Sequence, residues 1–208
     1  MTKVKFCGLK NLDDVAICNE VKPDYVGFIL AKSKRRIDQE TAQKLRQALD
    51  PSLPCVGVFV NEEPEIIRDY VEAGIIQVIQ LHGDEDRAYI KKLRELCQAP
   101  IIKALAIKDQ ASFQVDLPCD AYLYDAYNKQ VRGGSGQSFN WDLISSRPAK
   151  HRTKPFFLAG GLKASNLDEA IRTTQADGVD ISSGIEGADG HKDYNKAKEI
   201  CQIVRSAQ

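Results

Sequence analysis

The sequence predicts an α/β fold, a single (β/α)8 barrel spanning residues 1–208. Three observations carry this. Eight short apolar runs recur at near-even spacing, helix-like stretches alternate with them, and 208 residues leave about 26 for each strand, helix and pair of loops. The runs cover 4–7, 25–30, 55–60, 77–81, 101–106, 121–125, 155–159 and 178–182. They are rich in Val, Ile, Leu and Phe with little polar alternation, as expected of strands buried on both faces. Strict alternation implies parallel strands with right-handed crossovers, and eight units is the number that closes a barrel. An open doubly wound sheet is the alternative, but it usually has five or six strands in this length.

The intervening helices carry their own punctuation. The stretch 12–21 follows Asn11, a good N-cap, and holds Asp13 and Asp14 in its first turn, where the helix dipole favours them. The stretch 39–49 follows Asp38 in the same role. Pro64 opens 64–73 and Gly74 is placed to end it. In 86–97, Ile90, Leu93 and Leu96 share one side. The stretch 167–174 follows Ser165-Asn166, and 194–204 closes the chain. Only short helices are expected after strands five and six, over 110–115 and 141–146.

Lys and Arg total 29 against 29 Asp and Glu, which argues against a nucleic-acid binder that works through a basic surface. No apolar run approaches the roughly 20 residues of a membrane span. Residues 1–7 run straight into a strand without the apolar core of an export signal, so cytoplasmic residence is expected. The six cysteines are scattered and are expected as free thiols. The three histidines show no metal-ligand spacing with them.

In such a barrel the chemistry sits at the C-terminal ends of the strands. There the sequence places Cys7-Gly8, Gln80-Leu81-His82-Gly83, Tyr124-Asp125, Gly160-Gly161, and Asp180 through Ser182-Ser183-Gly184. Alternation puts Lys5 with Cys7, Gln80 with His82, and Asp180 with Ser182 on common faces. Lys5 is expected to stabilise a Cys7 thiolate. Asp180 can neutralise a lysine such as Lys5 or Lys103, and His82 reads as a pocket wall or hydrogen-bond partner. Gly134 and Gly136 lie in a glycine-rich stretch after strand six. One glycine patch reads as a turn, but three at the ends of consecutive strands point to a phosphate held by backbone N–H groups. Arg35 or Arg36, after strand two, can hold a carboxylate in bidentate fashion. Trp141 reads as core.

These pieces come in a distinctive order. They are Lys5-Phe6-Cys7-Gly8, Gly27-Phe28, Ser33-Lys34-Arg35, 56–61 (VGVFVN), Gln80-Leu81-His82-Gly83, 133–141 (GGSGQSFNW), 158–162 (LAGGL) and 180–186 (DISSGIE). In that order the sequence resembles the phosphoribosylanthranilate isomerases of tryptophan biosynthesis. The resemblance implies a cofactor-free, metal-free Amadori rearrangement of an aminoaldose to an aminoketose. It implies Cys7 as general base, Asp125 as general acid and Arg35 as the ligand of the substrate's carboxylate, with Arg36 the alternative. The loops bearing Gly134, Gly136, Gly160, Gly161, Ser182, Ser183 and Gly184 match the phosphate grip. Lys5, Gln80, His82 and Asp180 would line the pocket. The partner implied is a small sugar phosphate, with a monomer favoured over a homodimer. The sequence departs from the family at Ala126-Tyr127, where threonine often follows the aspartate, and at Phe6, often isoleucine. The alternatives are another barrel enzyme acting on a sugar phosphate and a non-catalytic phosphate-ligand sensor. A sensor would have no need of a paired acid and base.

Overall fold

The computed structural model describes residues 1–125 and 141–207. Eight parallel strands close into one barrel in chain order: β1 (Lys3–Cys7), β2 (Tyr25–Ile29), β3 (Cys55–Phe59), β4 (Val78–Leu81), β5 (Ile101–Ala106), β6 (Ala121–Asp125), β7 (Phe156–Ala159) and β8 (Gly178–Ile181). The seam is the β1–β8 pairing, where Lys5 stands opposite Asp180. The helices among the described residues are α1 (Leu12–Val21), α2 (Gln39–Ala48), α3 (Pro64–Glu72), α4 (Arg87–Leu96), α5 (Asp142–Ser145), α6 (Ala164–Thr174) and α7 (Tyr194–Ser206).

Several helix ends follow directly from the residues there. Asn11 and Asp38 cap α1 and α2, their side chains accepting from Asp14 N and Thr41 N. Gly74, at φ +68°, follows the end of α3 in the left-handed conformation that glycine adopts without steric cost. Two elements differ from the sequence reading. After β5 the chain makes only a 3-10 turn, Gln110–Phe113. Asp109 and Ser112 satisfy each other's backbone N–H groups there, and Phe113 is fully buried directly after them. Helix α6 begins a turn early, at Ala164. Asn166 sits at its third position and its Oδ1 accepts from Lys163 N, so Asn166 caps from inside the helix rather than preceding it.

Alternation along the strands sorts the core into two layers. Outward-facing Phe6, Phe28, Tyr124 and Phe156 are fully buried in the layer shared with the helices, which also takes Trp141. The inward faces form a second cluster of Val56, Val78, Ile102, Ala104, Ala121, Leu123, Phe157 and Ala159. Phe6 therefore points away from the barrel interior, and its departure from isoleucine does not reach the lumen. No helix among the described residues is long and apolar enough to cross a membrane.

The outer layer should dominate stability. Phe6→Ala removes a fully buried ring and is expected to cost roughly 3–5 kcal/mol in urea unfolding. A loss below about 1 kcal/mol would mean that this layer is loosely packed.

Candidate active site

The strand ends bring most of the expected residues together. Lys5 is fully buried, and its Nζ lies 3.0 Å from both carboxylate oxygens of Asp180 across the seam. Burial works against the Lys5 ammonium, but Asp180 and Cys7 together outweigh it and leave the lysine above its ordinary pKa. Of the two lysines considered for Asp180, Lys5 is the partner. Lys103 lies outside the lumen by strand parity and pairs with the buried Glu85, Nζ to Oε2 at 3.0 Å.

Cys7 ends β1, buried, with Gly27 as its register partner on β2. A side chain at Gly27 would have its Cβ 3.0 Å from Cys7 Sγ and 3.2 Å from Lys5 Nζ, so glycine makes room for both groups. Lys5 was expected to lower the Cys7 pKa. Its charge and hydrogen bond act in that direction, but the net shift is upward. Burial pushes the thiol up, outweighing Lys5 and Lys192, and Asp180 adds to the rise because its negative charge disfavours a thiolate. The charge of Lys5 is already matched by Asp180.

Asp125 ends β6, and its carboxylate Oδ2 lies 3.5 Å from His82 Nε2. The other ring nitrogen of His82 meets Gln80 Nε2 at 3.1 Å. Gln80 is almost fully buried, and its Oε1 has no partner among the described residues. His82 therefore stands between Asp125 and Gln80 at the strand ends. Its loop is held by Glu85, which accepts from Asn61 N and Gly83 N.

After β7, Gly160 and Gly161 adopt φ of +93° and +67°, so both take a conformation that favours glycine. After β8, Ser182 turns out of the strand into a 3-10 turn, Ser183–Ile185. A Cβ at Gly184 would collide with the Leu162 carbonyl oxygen, so the β7 and β8 loops approach as closely as glycine permits. Ser182 Oγ is buried without a partner among the described residues. Gly134 and Gly136, with Ala126 and Tyr127, lie outside the described residues.

Arg35 and Arg36 separate clearly. Arg36 is exposed, whereas Arg35 folds over the site. A Cβ on Gly8 (φ +82°) would lie 2.8 Å from Arg35 Cδ. Arg35 makes a two-point ion pair with Glu186, Nε to Oε1 at 2.6 Å and Nη2 to Oε2 at 2.8 Å. Sequence reasoning missed two members of this cluster. Glu186 was seen only as the end of the 180–186 motif, and Lys192 was not singled out. Lys192 is buried, and its Nζ donates to Cys7 O at 2.7 Å, Ser182 O at 3.1 Å and Glu186 Oε1 at 3.3 Å. Nothing in the spacing of residues 5, 35, 186 and 192 announces that they meet. All six cysteines are free, and no group of acidic, histidine and cysteine side chains able to hold a metal occurs among the described residues.

The direction of the Cys7 shift predicts its reactivity. Only the thiolate alkylates, so inactivation by iodoacetamide should accelerate about tenfold per pH unit from pH 7 to 9. Peptide mapping would assign the adduct to Cys7. A plateau below about pH 8.5 would contradict a raised thiol.

The profile of the family described as N-(5'phosphoribosyl)anthranilate (PRA) isomerase matches residues 4–203. A relative from Endomicrobium trichonymphae named N-(5'-phosphoribosyl)anthranilate isomerase is 43% identical over 206 residues, covering 99% of this chain and all of that protein. The crystal structure of the phosphoribosyl anthranilate isomerase of Thermotoga maritima superposes with a TM-score of 0.86 at 34% identity, over 99% of each chain. A phosphoribosyl anthranilate isomerase in complex with reduced 1-(o-carboxyphenylamino)-1-deoxyribulose 5-phosphate gives a TM-score of 0.83 at 33% identity, again over 99% of each. Ordered strand-end motifs, a closed (β/α)8 barrel and full-length similarity agree: the chain belongs to the N-(5'-phosphoribosyl)anthranilate isomerase family.

Proposed function

We propose that this site carries out the family's isomerisation of N-(5'-phosphoribosyl)anthranilate, with Asp125 as general acid, Cys7 as general base and Arg35 as the ligand of the anthranilate carboxylate. The observation that carries the reading is the meeting of a buried thiol, a carboxyl group and a two-point guanidinium at one end of the barrel. Asp125 protonates the ribose ring oxygen as the C1–O bond breaks, and the opened sugar is a Schiff base. Cys7, having given up its own proton to become the thiolate, then removes the C2 proton to give an enolamine. The enolamine takes up a proton at C1 and gives up that of its 2-hydroxyl, so the product is an isomer of the substrate. Positioned proton donors and acceptors of this kind typically contribute on the order of 10²–10⁴-fold each.

The phosphate falls to the loops bearing Gly160, Gly161, Ser182, Ser183 and Gly184 and, by sequence, Gly134 and Gly136. The glycine conformations after β7 and the close approach at Gly184 support the first group. The unpartnered Gln80 Oε1 and Ser182 Oγ suit a polyhydroxylated substrate. Lys5 and Asp180 form the floor, and His82 flanks the acid. Every residue named comes from one chain, which we read as a cytoplasmic monomer built as one domain. Light scattering near 23 kDa checks the oligomeric part.

The test is the loss of phosphoribosylanthranilate fluorescence on adding purified protein in EDTA with no cofactor. Cys7→Ser and Asp125→Asn are each expected to lose 10²-fold or more of kcat while keeping product affinity. Near-normal turnover in either variant removes that residue from proton transfer. Arg35→Ala should chiefly raise KM, and a larger KM effect from Arg36→Ala would reassign the carboxylate ligand. A folded protein that leaves the substrate intact points instead to the ligand-sensor reading.

A further inference from the structure

The Arg35–Glu186 pair uses only part of the guanidinium. A guanidinium carries five N–H donors in a plane, enough for two carboxylates on two different edges. Glu186 takes the side-on edge through Nε and Nη2. Nη1 has no hydrogen-bond partner among the described residues, so the end-on edge formed by Nη1 and the outer Nη2 hydrogen stays open to a second planar carboxylate. Glu186 therefore does not compete for the edge on which substrate would dock.

Glu186 is itself held rigidly. Its backbone pairs with that of Lys192 in a short antiparallel bridge, and Gly187 N donates to His191 O inside the resulting loop. Lys192 Nζ reaches Glu186 Oε1 while also binding the carbonyls of Cys7 and Ser182. Lys192 N in turn donates to the fully buried Asp14. The guanidinium is thus registered against the end of β1, which carries Cys7, and against the turn after β8.

We propose that Glu186 is a positioning residue for substrate recognition: by holding the side-on edge of Arg35 it aims the end-on edge at the anthranilate carboxylate, with Lys192 anchoring Glu186. This rests on the assignment of Arg35 as the carboxylate ligand. It also gives Glu186 a part in selectivity. A lone buried arginine attracts any anion, whereas one already paired with a carboxylate favours a planar group that fits two parallel donors over a charge that does not. Glu186 raises the Arg35 pKa through the same bonds. Burial opposes the Glu186 charge, but Arg35 and Lys192 prevail and hold the carboxyl down at about 2, so the clamp stays ionised across the working pH range.

The test compares two inhibitors: reduced 1-(o-carboxyphenylamino)-1-deoxyribulose 5-phosphate and the same compound without its ring carboxylate. In the intact enzyme the carboxylated inhibitor should bind more tightly. Glu186→Ala should weaken it about tenfold and the other less than twofold. KM for substrate should rise in parallel, with kcat within about threefold. Glu186→Gln keeps one acceptor oxygen and should fall between the two, which also covers the case in which the alanine variant fails to fold. Equal weakening of both inhibitors would reduce Glu186 to a structural role and overturn the proposal. So would unchanged affinities in folded variants, or tighter binding of the carboxylated inhibitor in Glu186→Ala, which would make Glu186 a competitor. An intact enzyme indifferent to the ring carboxylate would overturn the assignment of Arg35 and the proposal with it.

Discussion

A cation can be buried inside a closed barrel only if an anion is buried with it, and the Lys5–Asp180 pair meets that condition at the seam. The two residues are register partners on β1 and β8, the strands whose pairing closes the sheet. Barrel closure and charge compensation are therefore the same event. A slip of one residue between β1 and β8 would turn one of the two charges out of the lumen and leave the other unpaired. Removing one partner from a buried pair typically costs about 3–5 kcal/mol, because the survivor is left without compensation. Cys7 lies two residues beyond Lys5 on the same strand face, so the position of the proposed base depends on this pairing.

The same logic repeats at the rim. Glu85 pairs with Lys103 and accepts from the backbone of Asn61 and Gly83, which joins the ends of β3, β4 and β5 around His82. Lys192 ties the carbonyls that follow β1 and β8 to Glu186, and through it to Arg35 on the β2 loop. Each network is buried and carries both signs of charge, so each fixes loop ends that would otherwise be free to move. Asp125 and Cys7, the proposed acid and base, end β6 and β1 of one closed sheet, three places apart around the barrel.

Much of the fold is legible in the sequence because its signals are local. A buried strand reads as an apolar run, and a helix end reads as Asn11, Asp38 or Gly74. Strand parity was enough to put Lys5 with Cys7 and Gln80 with His82. The failures share a cause, which is distance along the chain. Lys5 and Asp180 are 175 residues apart, and the sequence left Lys103 open as the alternative partner. Arg35 and Glu186 are separated by 151, so the arginine was legible as a carboxylate ligand but not as one already paired. Lys192 carries no local mark at all. The early start of α6 was missed for a local reason: Asn166 caps from the third position, which the sequence does not distinguish from capping at the first.

The expected lowering of the Cys7 pKa fails chiefly because the thiol is buried, with the carboxylate of Asp180 adding to the rise. Three cationic side chains, Lys5, Lys192 and Arg35, gather near the thiol, and taken alone they would stabilise its ionised form. Two carboxylates, Asp180 and Glu186, stand among them, so these five groups leave a single surplus positive charge. At Cys7 the cost of burying a thiolate outweighs that surplus, and the thiol pKa stands above its ordinary value. Lys5 and Lys192 still pull the Cys7 pKa down, but burial, with Asp180 beside it, outweighs them. The end-on edge of Arg35 carries no hydrogen-bond partner among the described residues, and it is there that the proposed carboxylate ligand would dock.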